Sequence, residues 1–379
     1  MVLLAHIWKC DPTGSPSCRK PWKPAMTDGM GMGGFRDLAP LRQASPWAVM
    51  RVLLVRLGAF GDIVHTLPLA ADLVAAGHAV DWLCEDRWAC VLDGSSVIDR
   101  IHRLPRKLLR TAPLVQRMTV LRRLVRSLRA EAYDAVIDAQ GLAKSAGLAV
   151  LAGAGRRIVH APPRGRELSW LGADCSIRPQ AEHVIDQQRD LGLALGLVPQ
   201  GPWRFPLPPW HDERRWARGW LDAQGLGRPW MLNVGAGWPT KVWPAERLRG
   251  FTSACAAAGR PLVLLWGNPA ERTIAGELVA HGGTLAPDSS IPQLAGLLSE
   301  GSVLVSGDTG PLHLARALGT PAVGLFGPVP LERNGPRGAH WRNFQAPGAA
   351  WERRDISKVE MGAISVEQVS AAAAEVARD

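Results

Sequence analysis

Five stretches of this sequence place reactive side chains directly behind an apolar run and a glycine turn. The first is Arg56-Leu57-Gly58-Ala59-Phe60-Gly61-Asp62, which follows Arg51-Val52-Leu53-Leu54-Val55. Two glycines let the backbone turn tightly and come close to a ligand, and the start of the following helix favours anions. Asp62 opens that helix. It reads either as a first-turn acid that stabilises the helix by ~1 kcal/mol or as a base that removes a proton from a hydroxyl. The second stretch is Asp138-Ala139-Gln140-Gly141-Leu142-Ala143-Lys144-Ser145. Lys144 fits an acceptor phosphate or carboxylate, and reads equally as a solvated first-turn lysine. The third, Gly235-Ala236-Gly237-Trp238-Pro239-Thr240-Lys241, suits a diphosphate cradle or a plain turn, and it lacks the Walker spacing. The fourth is Ser306-Gly307-Asp308-Thr309-Gly310-Pro311-Leu312-His313. It is the strongest anion site in the chain, because small residues let a phosphate reach the N–H groups of a helix start and Thr309 adds a hydroxyl. Asp308 also reads as a cap, and His313 as an ordinary helix residue. The last is Trp266-Gly267-Asn268-Pro269-Ala270-Glu271. An acid there can take the two hydroxyls of a ribose; taken alone, Glu271 reads as a surface acid.

Elements that alternate short apolar runs with helical stretches must hold these loops, which is the pattern of a parallel α/β sheet. Strands are predicted at 52–55, 79–84, 135–138, 157–160, 230–234, 261–266, 303–306 and 322–326, with helices at 63–76, 144–152, 291–299, from 312 and at 365–377. Ligands of such sheets bind at the carboxyl ends of the strands, and all five loops share that edge. Residues 199–210 hold five prolines in twelve, and proline continues neither helix nor central strand. The boundary is set there, giving Rossmann-like domains at 50–205 and 206–379, with the terminal helix free to pack back on the first domain. Residues 1–49 have no sustained periodicity and read as a disordered extension or a start assigned too early.

With 379 residues the chain is long for one core. It is 47% hydrophobic and carries a net charge of +10. Between Ile101 and Ala130 stand nine basic residues, Arg103, Arg106, Lys107, Arg110, Arg117, Arg122, Arg123, Arg126 and Arg129, and no acid. Leu114, Met118, Leu121, Val125 and Leu128 fall on one helix face among them, so the helix reads as a core face plus a solvated face, or as a basic wall towards an anionic membrane. No nucleic-acid signature accompanies it. Cys10, Cys18, Cys84, Cys90, Cys175 and Cys255 show no CxxC or zinc spacing and read as reduced thiols. No apolar run approaches the ~18 residues of a membrane span.

These stretches, taken in order, resemble glycosyltransferase family 9, the lipopolysaccharide heptosyltransferases. The resemblance is carried by MRVLLVRLGAFGDIVHTLPLA (50–70), VDWLCED (80–86), YDAVIDAQGLAKSA (133–146), KVWP (241–244), WGNPAE (266–271) and SGDTGPLHLA (306–315). It is closest to the members that add the first heptose to the Kdo sugars of lipid A. The resemblance implies a GT-B fold, an acceptor on the first domain and ADP-heptose on the second. It implies Asp62 as general base; Lys241, Glu271, Asp308, Thr309, Gly310 and His313 on the donor; and Gly61, Lys144, Arg166 and His183 on an anionic acceptor, Kdo-lipid A. An inverting displacement follows, on the cytoplasmic face of the inner membrane, reached through the basic patch around 103–129. With no DxD sequence, no obligatory metal or other cofactor is expected. Two features depart from the family: Ala236-Gly237 stand where hydroxyl side chains are usual, and residues 1–49 have no counterpart. The rival readings are a nicotinamide oxidoreductase, against which the missing G-x-G-x-x-G speaks, a non-catalytic lipid-binding protein, and the same enzyme class with another sugar.

Overall fold

The computed structural model describes residues 17–18 and 49–377, so the reading of residues 1–49 as an extension falls almost wholly outside the described residues. The first sheet holds β1 (Ser17–Cys18), β2 (Arg51–Val55), β3 (Ala79–Glu85), β4 (Arg100–Leu104), β5 (Ala135–Asp138), β6 (Arg156–His160) and β7 (Cys175–Ile177), in the order β1-β7-β6-β5-β2-β3-β4. The second holds β8 (Trp230–Asn233), β9 (Leu262–Leu265), β10 (Thr284–Leu285), β11 (Val303–Gly307), β12 (Ala322–Phe326) and β13 (Trp341–Gln345), in the order β10-β9-β8-β11-β12-β13. Apart from β1, which runs antiparallel to β7, every pairing is parallel.

Central strands of a parallel sheet are covered on both faces and must be apolar throughout. In β2, alternate residues point to opposite faces. Val52 and Leu54 pack with Ile63, Val64 and Leu67 of the helix Phe60–Ala75, while Leu53 and Val55 pack with Leu124 and Leu128 of the helix Leu114–Ala130. Both sheets reverse their winding direction once, between β2 and β5 and between β8 and β11. Ligands of open α/β sheets bind outside the strand ends at such a point, and there the glycine loops lie.

Two expectations need correction. The terminal helix, Val366–Val376, buries Val369, Ala372, Ala373 and Val376 in the core of its own domain and does not return to the first. The apolar stripe of the Leu/Arg helix packs only in its second half. Leu114, Val115 and Met118 are 70%, 80% and 43% exposed, while Leu124 and Leu128 are buried against the first sheet. Several of the arginines around it are already engaged: Arg103 pairs with Asp93 at 2.6 Å, Arg106 with Glu85 at 3.0 Å, and Arg129 donates to Leu151 O. Among the described residues no helix is long and apolar enough to cross a membrane. The Cys84 and Cys255 thiols are pushed up to about 12 by burial, which makes them inert at neutral pH.

Candidate active site

Asp62 stands at the third position of the helix Phe60–Ala75. One carboxylate oxygen accepts the Ala59 N–H at 3.2 Å and pairs with the Arg56 guanidinium. Both readings of this residue therefore hold in one geometry: the acid satisfies a free N–H of the helix start, yet its side chain is 39% exposed towards the cleft while Arg56 beneath it is 5% exposed. Burial alone would raise the Asp62 pKa; the Arg56 and Arg164 guanidiniums outweigh it and hold the carboxyl below its ordinary value.

The loop after β5 is tied to the same place. Gln140 Oε1 accepts the N–H groups of Leu57 and Gly58 at 3.1 and 3.4 Å. Asp138 shapes this loop by accepting from Gln140 N and Gly141 N at 3.0 Å each and from Ser145 Oγ at 2.9 Å. Burial pushes its pKa up to about 6 against those bonds. Gly141 sits at φ +68°, where a side chain would strain the turn. Its carbonyl accepts the Arg166 N–H at 2.9 Å, so the β6 loop joins the group. Lys144 lies 3.5 Å from the buried carboxylate of Glu85, which also pairs with Arg87 and Arg106. Beside this cluster Arg87, Arg106, Lys107 and Arg110 line a groove of about 700 Å³.

In the second domain Asp308, 1% exposed at its side chain, is the hub. It pairs with Lys241 Nζ at 2.6 Å and His313 Nε2 at 3.0 Å and accepts from Asn334 Nδ2 at 3.3 Å. Burial works against its charge, but His313 and Lys241 prevail and hold it well below the ordinary carboxylate range. Lys241 also lies 4.4 Å over the Trp238 ring. Thr309 caps the helix Gly310–Leu318, and Asn233 Nδ2 donates to its hydroxyl at 3.2 Å. Glu271 accepts Gly267 N at 2.7 Å, and its carboxyl fills the space that a Gly235 side chain would need. Five predicted donor residues are thus gathered around the ends of β8 and β11, with Glu271 at their edge beside Gly235.

The two edges touch. A Cβ added at Gly61 would lie 2.7 Å from the His313 ring, and one at Gly310 would run into the Phe60 ring. His65 and His313 meet edge to face with ring centroids 4.1 Å apart. Gly61 therefore serves approach between the domains as well as the turn. His183 has a different task from the one expected. Its Nδ1 caps the helix Val184–Arg189 and its Nε2 donates to Gly335 O at 3.2 Å across the domain boundary. Both ring nitrogens are engaged, the residue is buried, and burial together with Arg337 brings its pKa to about 3. Arg166 is exposed at the rim.

The profile of glycosyltransferase family 9 (heptosyltransferase) matches residues 121–360. The chain belongs to this family. A family 9 relative, the lipopolysaccharide heptosyltransferase 1 of Pseudomonas aeruginosa, is 32% identical over 302 residues, 74% of this chain and 79% of that protein. Among solved structures, E. coli heptosyltransferase WaaC with ADP is similar at a TM-score of 0.70 and 26% identity, over 85% of this chain and 98% of that one. The same enzyme with ADP-2-deoxy-2-fluoro heptose gives 0.67 and 26% over the same shares. As a family 9 enzyme the chain is a glycosyltransferase of GT-B fold, with two Rossmann-like sheets facing across a cleft. The oxidoreductase and the non-catalytic readings fall away.

Sequence reasoning missed Arg56, Arg164, Arg333 and Asn334 in this family 9 cleft. Arg56 lay in a quoted motif, but its partner is set by the turn. Asn334 donates to Asp308, and Arg333 donates to Asn334, from a segment with no strand or glycine-turn signature.

Proposed function

We propose that this glycosyltransferase moves L-glycero-D-manno-heptose from ADP-heptose to a Kdo sugar of Kdo-lipid A, with inversion at the anomeric carbon, in building the lipopolysaccharide inner core. The observation that carries the reading is one carboxylate kept ionised, Asp62, facing the Lys241–Asp308–Thr309 loop across a closed contact. Asp62 takes the proton of the acceptor hydroxyl as its oxygen bonds to the anomeric carbon. The bond from that carbon to the diphosphate breaks on the opposite face, and one displacement inverts the configuration. Charge growing on departing ADP meets Lys241 and the N–H groups at the start of Gly310–Leu318. Asp308 orients Lys241 from below, and Glu271 is placed for the ribose. Lys144 and Arg166 serve the acceptor's anionic groups. The reading needs no obligatory divalent cation. The exposed apolar tip at Leu114, Val115 and Met118, flanked by Arg110 and Arg117, rests on the anionic lipid surface of the inner membrane from the cytoplasmic side.

The test is a transfer assay on Kdo-lipid A with ADP-heptose against UDP- and GDP-sugars, with and without EDTA. Expected are transfer from ADP-heptose alone, an inverted linkage by NMR and no effect of the chelator. A retained linkage, or preference for another nucleotide sugar, overturns the reading.

A further inference from the structure

One indole beside the donor loops carries two cations. Trp238 stands in the loop that follows β8, directly before the turn Pro239–Lys241. Lys241 Nζ lies 4.4 Å from the centre of its ring, and the Arg353 guanidinium carbon lies 4.5 Å from the same centre. The two cations come from distant chain segments, and a hydrogen bond ties those segments together. Thr240, 1% exposed, donates its hydroxyl to Glu352 O at 2.8 Å, so the residue before Lys241 is bonded to the residue before Arg353. Glu352 folds its own carboxylate back on the N–H groups of Arg353, Arg354 and Asp355, at 2.8, 2.9 and 3.1 Å. The backbone of this loop after β13 is therefore fixed by bonds that do not use the Arg353 side chain, which is left to rest on the Trp238 ring.

The two charges differ in what already matches them. Lys241 is 12% exposed at its side chain and pairs with buried Asp308 at 2.6 Å. Arg353 is exposed and, among the described residues, pairs with no acid. Like charges held on one ring repel, and an anion that meets both relieves the repulsion. The stretch Gly235-Ala236-Gly237 ahead of Trp238 has no side-chain donor, and a Cβ at Gly237 would meet nothing within 4 Å, so open space adjoins the ring. A nucleoside diphosphate sugar bears a negative charge on each phosphate and gains another as the diphosphate leaves. Lys241 brings one positive charge to it, and Asp308 has matched that charge beforehand. An arginine fork offers paired N–H donors that suit the edge of a phosphate. An aromatic face attracts the cation and so favours one place for a long, mobile side chain. We propose that Arg353, presented on Trp238, is a second cation on the diphosphate of the nucleotide-sugar donor, with Trp238 as its positioning residue. This rests on the donor reading above.

The test uses Arg353→Gln, Arg353→Lys, Trp238→Phe and Trp238→Ala, with Arg354→Gln as the neighbouring control. Calorimetric titration with ADP and adenosine is set beside donor and acceptor kinetics, and thermal unfolding checks the fold. Arg353→Gln weakens ADP and raises the donor KM roughly 5- to 30-fold, the low end for a charge-assisted hydrogen bond because the guanidinium is exposed. Adenosine binding and the acceptor KM stay within about twofold, and ADP binding depends less on salt than in the wild type. Arg353→Lys restores part of the loss, and Arg354→Gln matches the wild type. Trp238→Phe keeps a ring and most of the affinity. Trp238→Ala loses affinity, and loses less of it once Arg353 is already glutamine. An acceptor KM that rises in place of the donor KM, adenosine weakened as much as ADP, or an equal loss in Arg354→Gln overturns the role of Arg353. Strictly additive losses overturn the part played by Trp238. A wild type that prefers UDP or GDP sinks the adenine reading alone, and Arg353 is then judged on that diphosphate against its nucleoside. A wild type that binds none of the three ends this proposal too.

Discussion

Replacing Asp62 with asparagine separates its two tasks. Asparagine keeps an oxygen where the Ala59 N–H needs an acceptor, 3.2 Å away, so the helix start survives. It cannot hold a proton taken from a hydroxyl. A lost general base costs roughly 100- to 10,000-fold in kcat. Beneath it Arg56, 5% exposed, keeps its bond to Ala139 O but loses its counter-charge. A buried donor that loses its partner costs about 1–3 kcal/mol, so the melting temperature drops by several degrees without a change of fold. Release of ADP at saturating donor and acceptor gives kcat, and calorimetry gives the stability loss. A variant that folds and keeps kcat within about tenfold of wild type would refute the base assignment.

Asp308→Asn breaks a buried pair with Lys241 and leaves His313 and Asn334 with a weaker partner; about 3–5 kcal/mol of stability is lost and the donor KM rises, read by denaturant titration and donor kinetics. Gly61→Ala pushes a methyl to within 2.7 Å of the His313 ring, an overpacking cost of about 1–3 kcal/mol, and it lowers kcat by spoiling the domain contact; unchanged kcat and stability would contradict that packing. Because Asp62 works as the ionised form and its pKa lies below the ordinary 3.8, kcat/KM is lost only as pH falls through that low value, and a pH profile flat across the acid side of neutrality from this group is expected. His65, His160 and His183 are kept neutral mainly by burial, the latter two down to about 3, so the unfolded chain binds more protons below the free histidine value of 6.5. Stability therefore falls as pH drops from there, with protons taken up on unfolding; a flat unfolding midpoint on the acid side of 6.5 would show these rings to be accessible.

The strands that the sequence shows are those covered on both faces. In β2, β5, β8, β11 and β12 a run of three to five residues is apolar enough to stand out, and the loops behind them hold most of the site. The outer strands were not legible. Arg100–Leu104 reads as part of a basic run, and Thr284–Leu285 and Trp341–Gln345 are short or mixed edge strands, while Cys175–Ile177 is only three residues long with a polar centre. The helix His211–Ala223 hides its buried Ala217 and Leu221 among charges. Within the site, Asp62 and Lys241 announce themselves by their place after a turn. Arg164 and Arg333 do not, because what makes them distinctive is the charge of Asp62, which Arg164 feels from a distant loop of the same domain and Arg333 from the other domain, and no local pattern encodes a distance between chain segments that far apart.

The interlock of Phe60 over Gly310 and His313 over Gly61 makes the halves of the enzyme a matched set. Each ring occupies a vacancy that the other half leaves open. A chimera that joins the first half of this chain to the second half of a relative must therefore bring a glycine opposite Phe60 and a ring opposite Gly61. Otherwise the grafted partners collide or leave a void at the very place where their substrates meet.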